Sequence, residues 1–465
     1  MLTIETRSTR SEVSIPVPGS KSYTHRSLIA AALSDGPCRI TNPLRSEDTL
    51  VTLHALNHLG VEMQDQGAAV LLHGCSGRFK PWNNPIDFKN SGTSMRLFGG
   101  LVVLGRGVYT LTGSTRMQER PMGPLLDSLK QMGITAYAQK GNDCPPVIVE
   151  GNRRSGRHTA IDCSVSSQYL SALLLVAPCL ENGLTIDVTK GPVSKPYIDM
   201  TIDIMDAFGV DLHRDGYNRF TIAGNQTYRA GDHEVEPDAS NASYFWAAAA
   251  LTGARVHIRG LTTASRQGDI GLVAVLERMG CKVAYDAGGI AVTGGPLRGV
   301  EVDMAHMPDV VPTLAVVAAF AQGVTTIRNV GHLRVKECDR LAAVSSQLAK
   351  MGIETHTTAT DLHITGGTPH GAVIETYDDH RMAMSFAVAG LRVPGVTIED
   401  PGCVANRFPH TGRYWSSCIE EWFCISTILA RNCGFLELSS WRTVWVTRTG
   451  LRVPPRLGAH VTQSH

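Results

Sequence analysis

Five times along this chain, apolar positions at helical spacing run up to a glycine and β-rich residues follow directly. The segments are LHALNHLGVEM at 53–63, LLDSLKQMGITAY at 125–137, IDIMDAFGVDL at 202–212, VLERMGCKV at 275–283 and SQLAKMGIET at 346–355. Their glycines, Gly60, Gly133, Gly209, Gly280 and Gly352, recur every 71–76 residues. A glycine just past a helix end takes the left-handed backbone that stops the helix and lets a strand begin at once. The period is longer than that of ordinary solenoid repeats, so each copy is expected to be a small α/β subdomain, with a sixth finishing near residue 430. Short β-rich pieces between the markers predict strands at Val147–Glu150, Thr185–Val188 and Arg255–Ile258. Runs that are apolar nearly all round, at 169–177, 243–251, 312–321 and 381–391, predict helices at the centre of packed domains. The pattern therefore predicts an α/β fold of about six similar units in two groups, divided near Glu236-Pro237-Asp238.

Composition narrows the function classes. With 465 residues and 43% hydrophobic content, the chain has room for two to three domains of ~100–200 residues each. Lys plus Arg (43) nearly balances Asp plus Glu (42), so no global field favours nucleic acid or an anionic membrane. Eleven cysteines, an odd number without C-x-x-C pairs, signal neither a disulfide framework nor a zinc site and fit a reducing cytoplasm. No apolar stretch approaches the ~20 residues that span a bilayer, and Glu5 and Glu12 argue against a secretory signal. Residues 411–465 break from the rest: they contain no Lys or Asp, but six Arg and four of the six Trp.

Local clusters carry the chemistry. Pro18-Gly19-Ser20-Lys21-Ser22-Tyr23-Thr24-His25-Arg26 predicts a helix N-terminus, either a capped helix with exposed charges or an anion site, with Ser22 and Arg26 on one face. It is not a P-loop, because Ser14 stands where that motif needs Gly. Asn90-Ser91-Gly92-Thr93-Ser94-Met95-Arg96 is a glycine turn running into a helix. In Thr115-Arg116-Met117-Gln118-Glu119-Arg120-Pro121, Pro121 is expected at the first helical position, and Arg116 and Arg120 form a solvated pair or an anion fork. Ser164-Val165-Ser166-Ser167-Gln168 gathers more neutral donors than one cap needs, which suits a polyhydroxylated, phosphorylated ligand. Val193-Ser194-Lys195-Pro196-Tyr197 is a turn into the third repeat helix. Asp309 is expected near the start of an apolar helix, as a cap or a desolvated base. Leu333 to Leu341 is expected to place Lys336 and Arg340 on one helical face, with Glu337 within a turn of Arg340. Tyr377-Asp378-Asp379-His380-Arg381-Met382 predicts acidic residues in the first turn of another helix. No metal-ligand spacing stands out.

Taken in order, PGSKSYTHR, NSGTSMR, RMQERP, SVSSQ, LRVKECDRL, DDHRMAM and EDPGC resemble the 5-enolpyruvylshikimate-3-phosphate synthases, over about Ile15 to Cys403. The resemblance implies a two-domain inside-out α/β barrel of six βαβαββ-type units. The first domain would be 20–235, the second 1–19 plus 236–410, and 411–465 an atypical tail. It implies transfer of the enolpyruvyl group of phosphoenolpyruvate to shikimate 3-phosphate, with no metal or other cofactor, by a monomer acting on small molecules in the cytoplasm. Carried over by motif, shikimate 3-phosphate would be held by Lys21, Ser22, Arg26, Ser166, Ser167, Ser194, Asp309 and Lys336. Phosphoenolpyruvate would be held by Lys21, Gly92, Arg120, Gln168, Arg340 and Arg381. Asp309, Glu337 and Lys21 are the implied catalytic groups. Gly92 matches the small residue that admits glyphosate in this family, whereas Leu97 replaces the family's usual Pro. Asn406 stands where the family usually carries a Lys, with Arg407 beside it. Two other readings are a UDP-N-acetylglucosamine enolpyruvyl transferase, which Ser22 and the Cys-free segment Ser114 to Arg120 disfavour, and a non-catalytic relative with an altered C-terminus.

Overall fold

The computed structural model describes residues 1–6, 12–151 and 156–406. The tail at 411–465 and the close of the sixth unit near residue 430 lie outside the described residues, as do Arg407 and the side chain of Asn406.

Each of the first five repeats pairs a buried helix with an outer one that ends in a marker glycine. In chain order these are α1 (Lys21–Leu33) and α2 (Glu47–His58), α3 (Gly92–Leu101) and α4 (Gly123–Gln131), then α5 (Gln168–Val176) and α6 (Pro196–Ala207). They continue as α7 (Ala239–Thr252) and α8 (Leu272–Met279), then α9 (Val311–Ala318) and α10 (Arg340–Lys350), and α11 (His380–Gly390). Gly60, Gly133, Gly209, Gly280 and Gly352 all have positive φ, from 75 to 116°, and a strand follows each within a few residues. The repeat read from the apolar pattern is thus a helix stop in every copy, because the left-handed conformation costs least at Gly.

Five four-stranded sheets share one plan, a parallel pair extended by two antiparallel strands, and a three-stranded sheet belongs to the sixth unit. Two of these sheets take their parallel edge strand from outside their own unit. Asp232–Glu234 pairs with Pro37–Thr41 in the first unit, and Glu12–Ile15 pairs with Arg255–Arg259 in the fourth. The chain therefore crosses between the halves twice, side by side. Ser20 N donates to Glu236 O at 2.8 Å, and Asp238 N donates to Pro18 O at 2.9 Å.

The buried apolar residues form two separate cores. One is built on α1, α3 and α5, the other on α7, α9 and α11 with Val13, Ile15 and Val17. Among the described residues, no helix is long and apolar enough to cross a membrane.

Three local expectations are corrected. Pro121 does not open a helix: α4 starts at Gly123 with Pro at its second position. Arg120 instead takes an extended backbone (φ −88°, ψ 127°) after a short 3-10 turn, as the residue before a proline does. Lys336 and Arg340 do not share a helix, because a 3-10 turn ends at Val335 and α10 begins at Arg340 under the Asp339 cap. Asp378 and Asp379 precede α11 rather than forming its first turn; Asp379 is its cap, and Asp378 is left-handed at φ 53°.

Candidate active site

Helix N-terminal ends and the turns that lead into helices, from both cores, converge on one cavity. From the first core, Lys21 and Ser22 open α1, Gly92 and Thr93 open α3, Ser166 and Ser167 lead into α5 at Gln168, and Ser194 precedes α6. From the second core come Asp309, Lys336 and Glu337. Free N–H groups and dipoles at such ends favour anions. Eleven of the fourteen residues carried over by motif line this cavity.

The other three sit behind its wall. Arg26 is 1% exposed and is held by Thr201 Oγ1 (2.7 Å), the carbonyls of Ser22 (2.8 Å) and Tyr197 (3.0 Å), and Ser171 Oγ (3.3 Å). It ties α1 to α5 and α6. Arg340 and Arg381 lie behind Asp309. Arg340 Nη1 donates to Asp309 Oδ1 at 3.3 Å and Arg381 Nη2 to Asp309 Oδ2 at 2.5 Å. Tyr197 OH also donates to Asp309, at 3.1 Å. Asp379, fully buried, anchors Arg340 through Nε at 2.7 Å while accepting from Arg381 N at 2.9 Å.

This network sets the charge states. Burial opposes ionisation of Asp309, but Arg381, Lys336 and Arg340 together outweigh it and hold the carboxyl well below the usual range. Glu337 is likewise depressed against its burial by Arg340 and Arg120, with Arg340 Nη2 at 2.8 Å and Arg120 Nη2 at 3.9 Å. Burial pushes the Lys336 ammonium down to about 8 although Asp309 and Glu337 oppose it. Burial pulls Arg120 to about 10.

Gly92 makes room for a guanidinium. A Cβ there would lie 2.4 Å from Arg120 Nη2 and 2.7 Å from Arg96 Nη1. Arg120 itself donates to Asn90 O at 3.0 Å. Gln168 is fixed on both ends, accepting from Arg96 at 3.1 Å and donating to Thr93 Oγ1 at 2.9 Å. Lys21 Nζ reaches Asp48 Oδ2 at 2.8 Å. Across the halves, Arg116 donates to the carbonyls of Lys336 (2.9 Å from Nη2) and Glu337 (3.1 Å from Nε). Lys336 is extended there (ψ −151°), and the two carbonyls serve Arg116 rather than a helical ladder.

Sequence reasoning left Asp48, Thr93 and Tyr197 out of the site, although all three line the cavity. Thr93 and Tyr197 belonged to segments already singled out, whereas Asp48 carried no signal beyond an acidic first turn. The partnership of Asp379 with Arg340 depends on two segments meeting in space and has no local signature.

The family model of EPSP synthase (3-phosphoshikimate 1-carboxyvinyltransferase) matches residues 6–414. Among curated relatives, a 3-phosphoshikimate 1-carboxyvinyltransferase of Syntrophobacter fumaroxidans is 45% identical over 398 residues, 85% of this chain and 94% of the relative. One of Methanoculleus marisnigri is 44% identical over 414 residues, 88% of this chain and 97% of the relative. Among solved structures, EPSP synthase from Acinetobacter baumannii superposes with TM-score 0.74 at 28% identity, covering 90% of this chain and 97% of that one. The enolpyruvyl transferase NikO from Streptomyces tendae shares the fold at TM-score 0.68 and 21% identity, covering 90% of this chain and 96% of that one. With most of its length matched and its fold shared, the chain belongs to the EPSP synthase family.

Proposed function

We propose that this enzyme transfers the enolpyruvyl group of phosphoenolpyruvate to the 5-hydroxyl of shikimate 3-phosphate, releasing phosphate on the route to chorismate and aromatic amino acids. It would act as a cytoplasmic monomer, with domains at 20–235 and at 1–19 plus 236–410. The observation that carries the reading is one cavity lined from both cores by Lys21, Arg120 and Lys336 together with the carboxylates Asp309 and Glu337. Two anionic substrates need cations, and the proton transfers need carboxylates.

In this reading Ser22, Ser166, Ser167, Ser194 and Lys336 hold shikimate 3-phosphate, while Arg26 fixes Ser22 through its carbonyl. Lys21, Arg120 and Gln168 hold phosphoenolpyruvate against the space left by Gly92. Arg340 joins them by exchanging Asp309 for a ligand anion, and Arg381 adds its charge toward phosphoenolpyruvate while its Nη2 still holds Asp309. Asp309 then takes the proton of the 5-hydroxyl as its oxygen bonds to C2, and Glu337 serves the proton transfer at C3. Phosphate leaves from the tetrahedral intermediate, whose charge Lys21, Arg120, Arg340 and Arg381 stabilise. Phosphate release that requires both substrates tests the proposal; release with UDP-N-acetylglucosamine in place of shikimate 3-phosphate, or no release at all, would contradict it.

A further inference from the structure

Beside the main cavity lies a second, of about 10 Å³, room for a single water. Asp269 and Arg381 both line it, with Asp238, Ser240, Gln267 and Tyr197. Asp269 sits on a 3-10 turn, Gly268–Gly271, and is 4% exposed. One of its oxygens accepts from the Ser240 hydroxyl. The other, Oδ1, is buried with no hydrogen-bond partner among the described residues, and so is Arg381 Nη1. Arg381 Nη2 meanwhile holds Asp309 at 2.5 Å.

The turn that carries Asp269 is seated at the crossover between the halves. Gln267 Nε2 donates to Glu236 Oε1 and to Pro237 O, both at 2.7 Å, and Ala239 N donates to Gln267 Oε1 at 3.0 Å. A Cβ at Gly268 would lie 2.2 Å from His306 O and 2.8 Å from Pro196 Cγ, so the turn is packed against both neighbouring segments. A buried carboxylate with one open oxygen, beside a buried guanidinium with one open nitrogen, is an unusual arrangement for a purely structural contact.

We infer that Asp269 is a positioning residue which, when ionised, draws on Arg381 from a second side, loosens its hold on Asp309 and leaves Asp309 the stronger base. This rests on the assignment of Asp309 as the base. The charged and titratable groups facing Asp269 are Asp309 from the turn at 308–310, Arg381 from α11, Asp238 at the cap of α7 and Tyr197 from α6. Burial, with Asp309 adding to it and Arg381 and the Ser240 hydroxyl opposing, brings the Asp269 carboxyl up to about 7. It therefore gains its charge as pH rises through neutrality, the range in which a change in base strength is visible in turnover.

The test is the pH profile of kcat from pH 6 to 8, with both substrates saturating. The wild type is expected to show an ascending limb near neutrality. Asp269→Asn keeps the Ser240 contact but cannot ionise, so it should lose the limb and stay flat, roughly threefold to tenfold below the wild-type plateau, with unchanged melting temperature. Ser240→Ala, which removes a donor favouring the ionised form, should move the limb to higher pH, and it tests the inference independently should Asp269→Asn fail to fold. A limb that persists unmoved in Asp269→Asn or Ser240→Ala, while Asp309→Asn is slow, would overturn the role of Asp269 alone. Near-normal turnover in Asp309→Asn would instead overturn the base assignment on which it rests.

Discussion

Arg381 Nη2 lies 2.5 Å from Asp309 Oδ2, so the carboxylate assigned as base is held by a buried guanidinium from a different repeat unit. Removing the charge at 309 tests the assignment. Asp309→Asn is expected to keep the fold and shikimate 3-phosphate binding, and to lower kcat by ~100-fold or more, the usual range for a lost general base. Titration calorimetry with shikimate 3-phosphate beside steady-state kinetics separates the two effects.

Gly92 and Arg120 form a second tight pair. In Gly92→Ala the new Cβ would meet Arg120 Nη2 at 2.4 Å, and the guanidinium must shift. A displaced charge-assisted contact costs ~1.5–3 kcal/mol, or roughly tenfold to a hundredfold. The KM for phosphoenolpyruvate should rise by about that factor, with the KM for shikimate 3-phosphate little changed.

Arg116 joins the two halves at the site through the carbonyls of Lys336 and Glu337. Arg116→Ala leaves both hydrophobic cores intact, so the free energy of unfolding should fall by less than ~1 kcal/mol. Losing the contact should instead loosen Lys336 and Glu337, lowering kcat and raising both KM values. Small-angle scattering with both ligands present should show a less compact particle than the wild type.

Lys336 should impose an alkaline limit. Its ammonium, pushed down to about 8 by burial, is charged below that pH in the free enzyme and neutral above it. If the charge binds shikimate 3-phosphate, kcat/KM for that substrate should decline above pH ~8, by up to about tenfold per pH unit. Lys336→Met should be low throughout and lack that decline.

What could be read from the residues alone was the local part. Gly60, Gly133, Gly209, Gly280 and Gly352 are helix stops because the left-handed backbone is a property of the residue itself. The buried helices at 169–177 and 381–391 were legible from their apolar surfaces, and α5 and α11 fall there within a residue. The break in the segment 333–341 has no local signature: its carbonyls meet Arg116, more than two hundred residues away, only in the fold. The places of Arg26, Arg340 and Arg381 behind the cavity wall were also hidden. They follow from Thr201, Asp379 and Asp309, partners brought together only by the tertiary fold.

The most direct test of enolpyruvyl transfer follows the bridging oxygen of phosphoenolpyruvate. Attack at C2 and loss of phosphate from the tetrahedral intermediate break the C–O bond, so phosphate should carry that oxygen away. With bridge-labelled ¹⁸O phosphoenolpyruvate and shikimate 3-phosphate, ³¹P NMR should show labelled phosphate appearing one-for-one with the enol ether product. Phosphate lacking the label, or formed without shikimate 3-phosphate, would mean simple hydrolysis and would contradict the account.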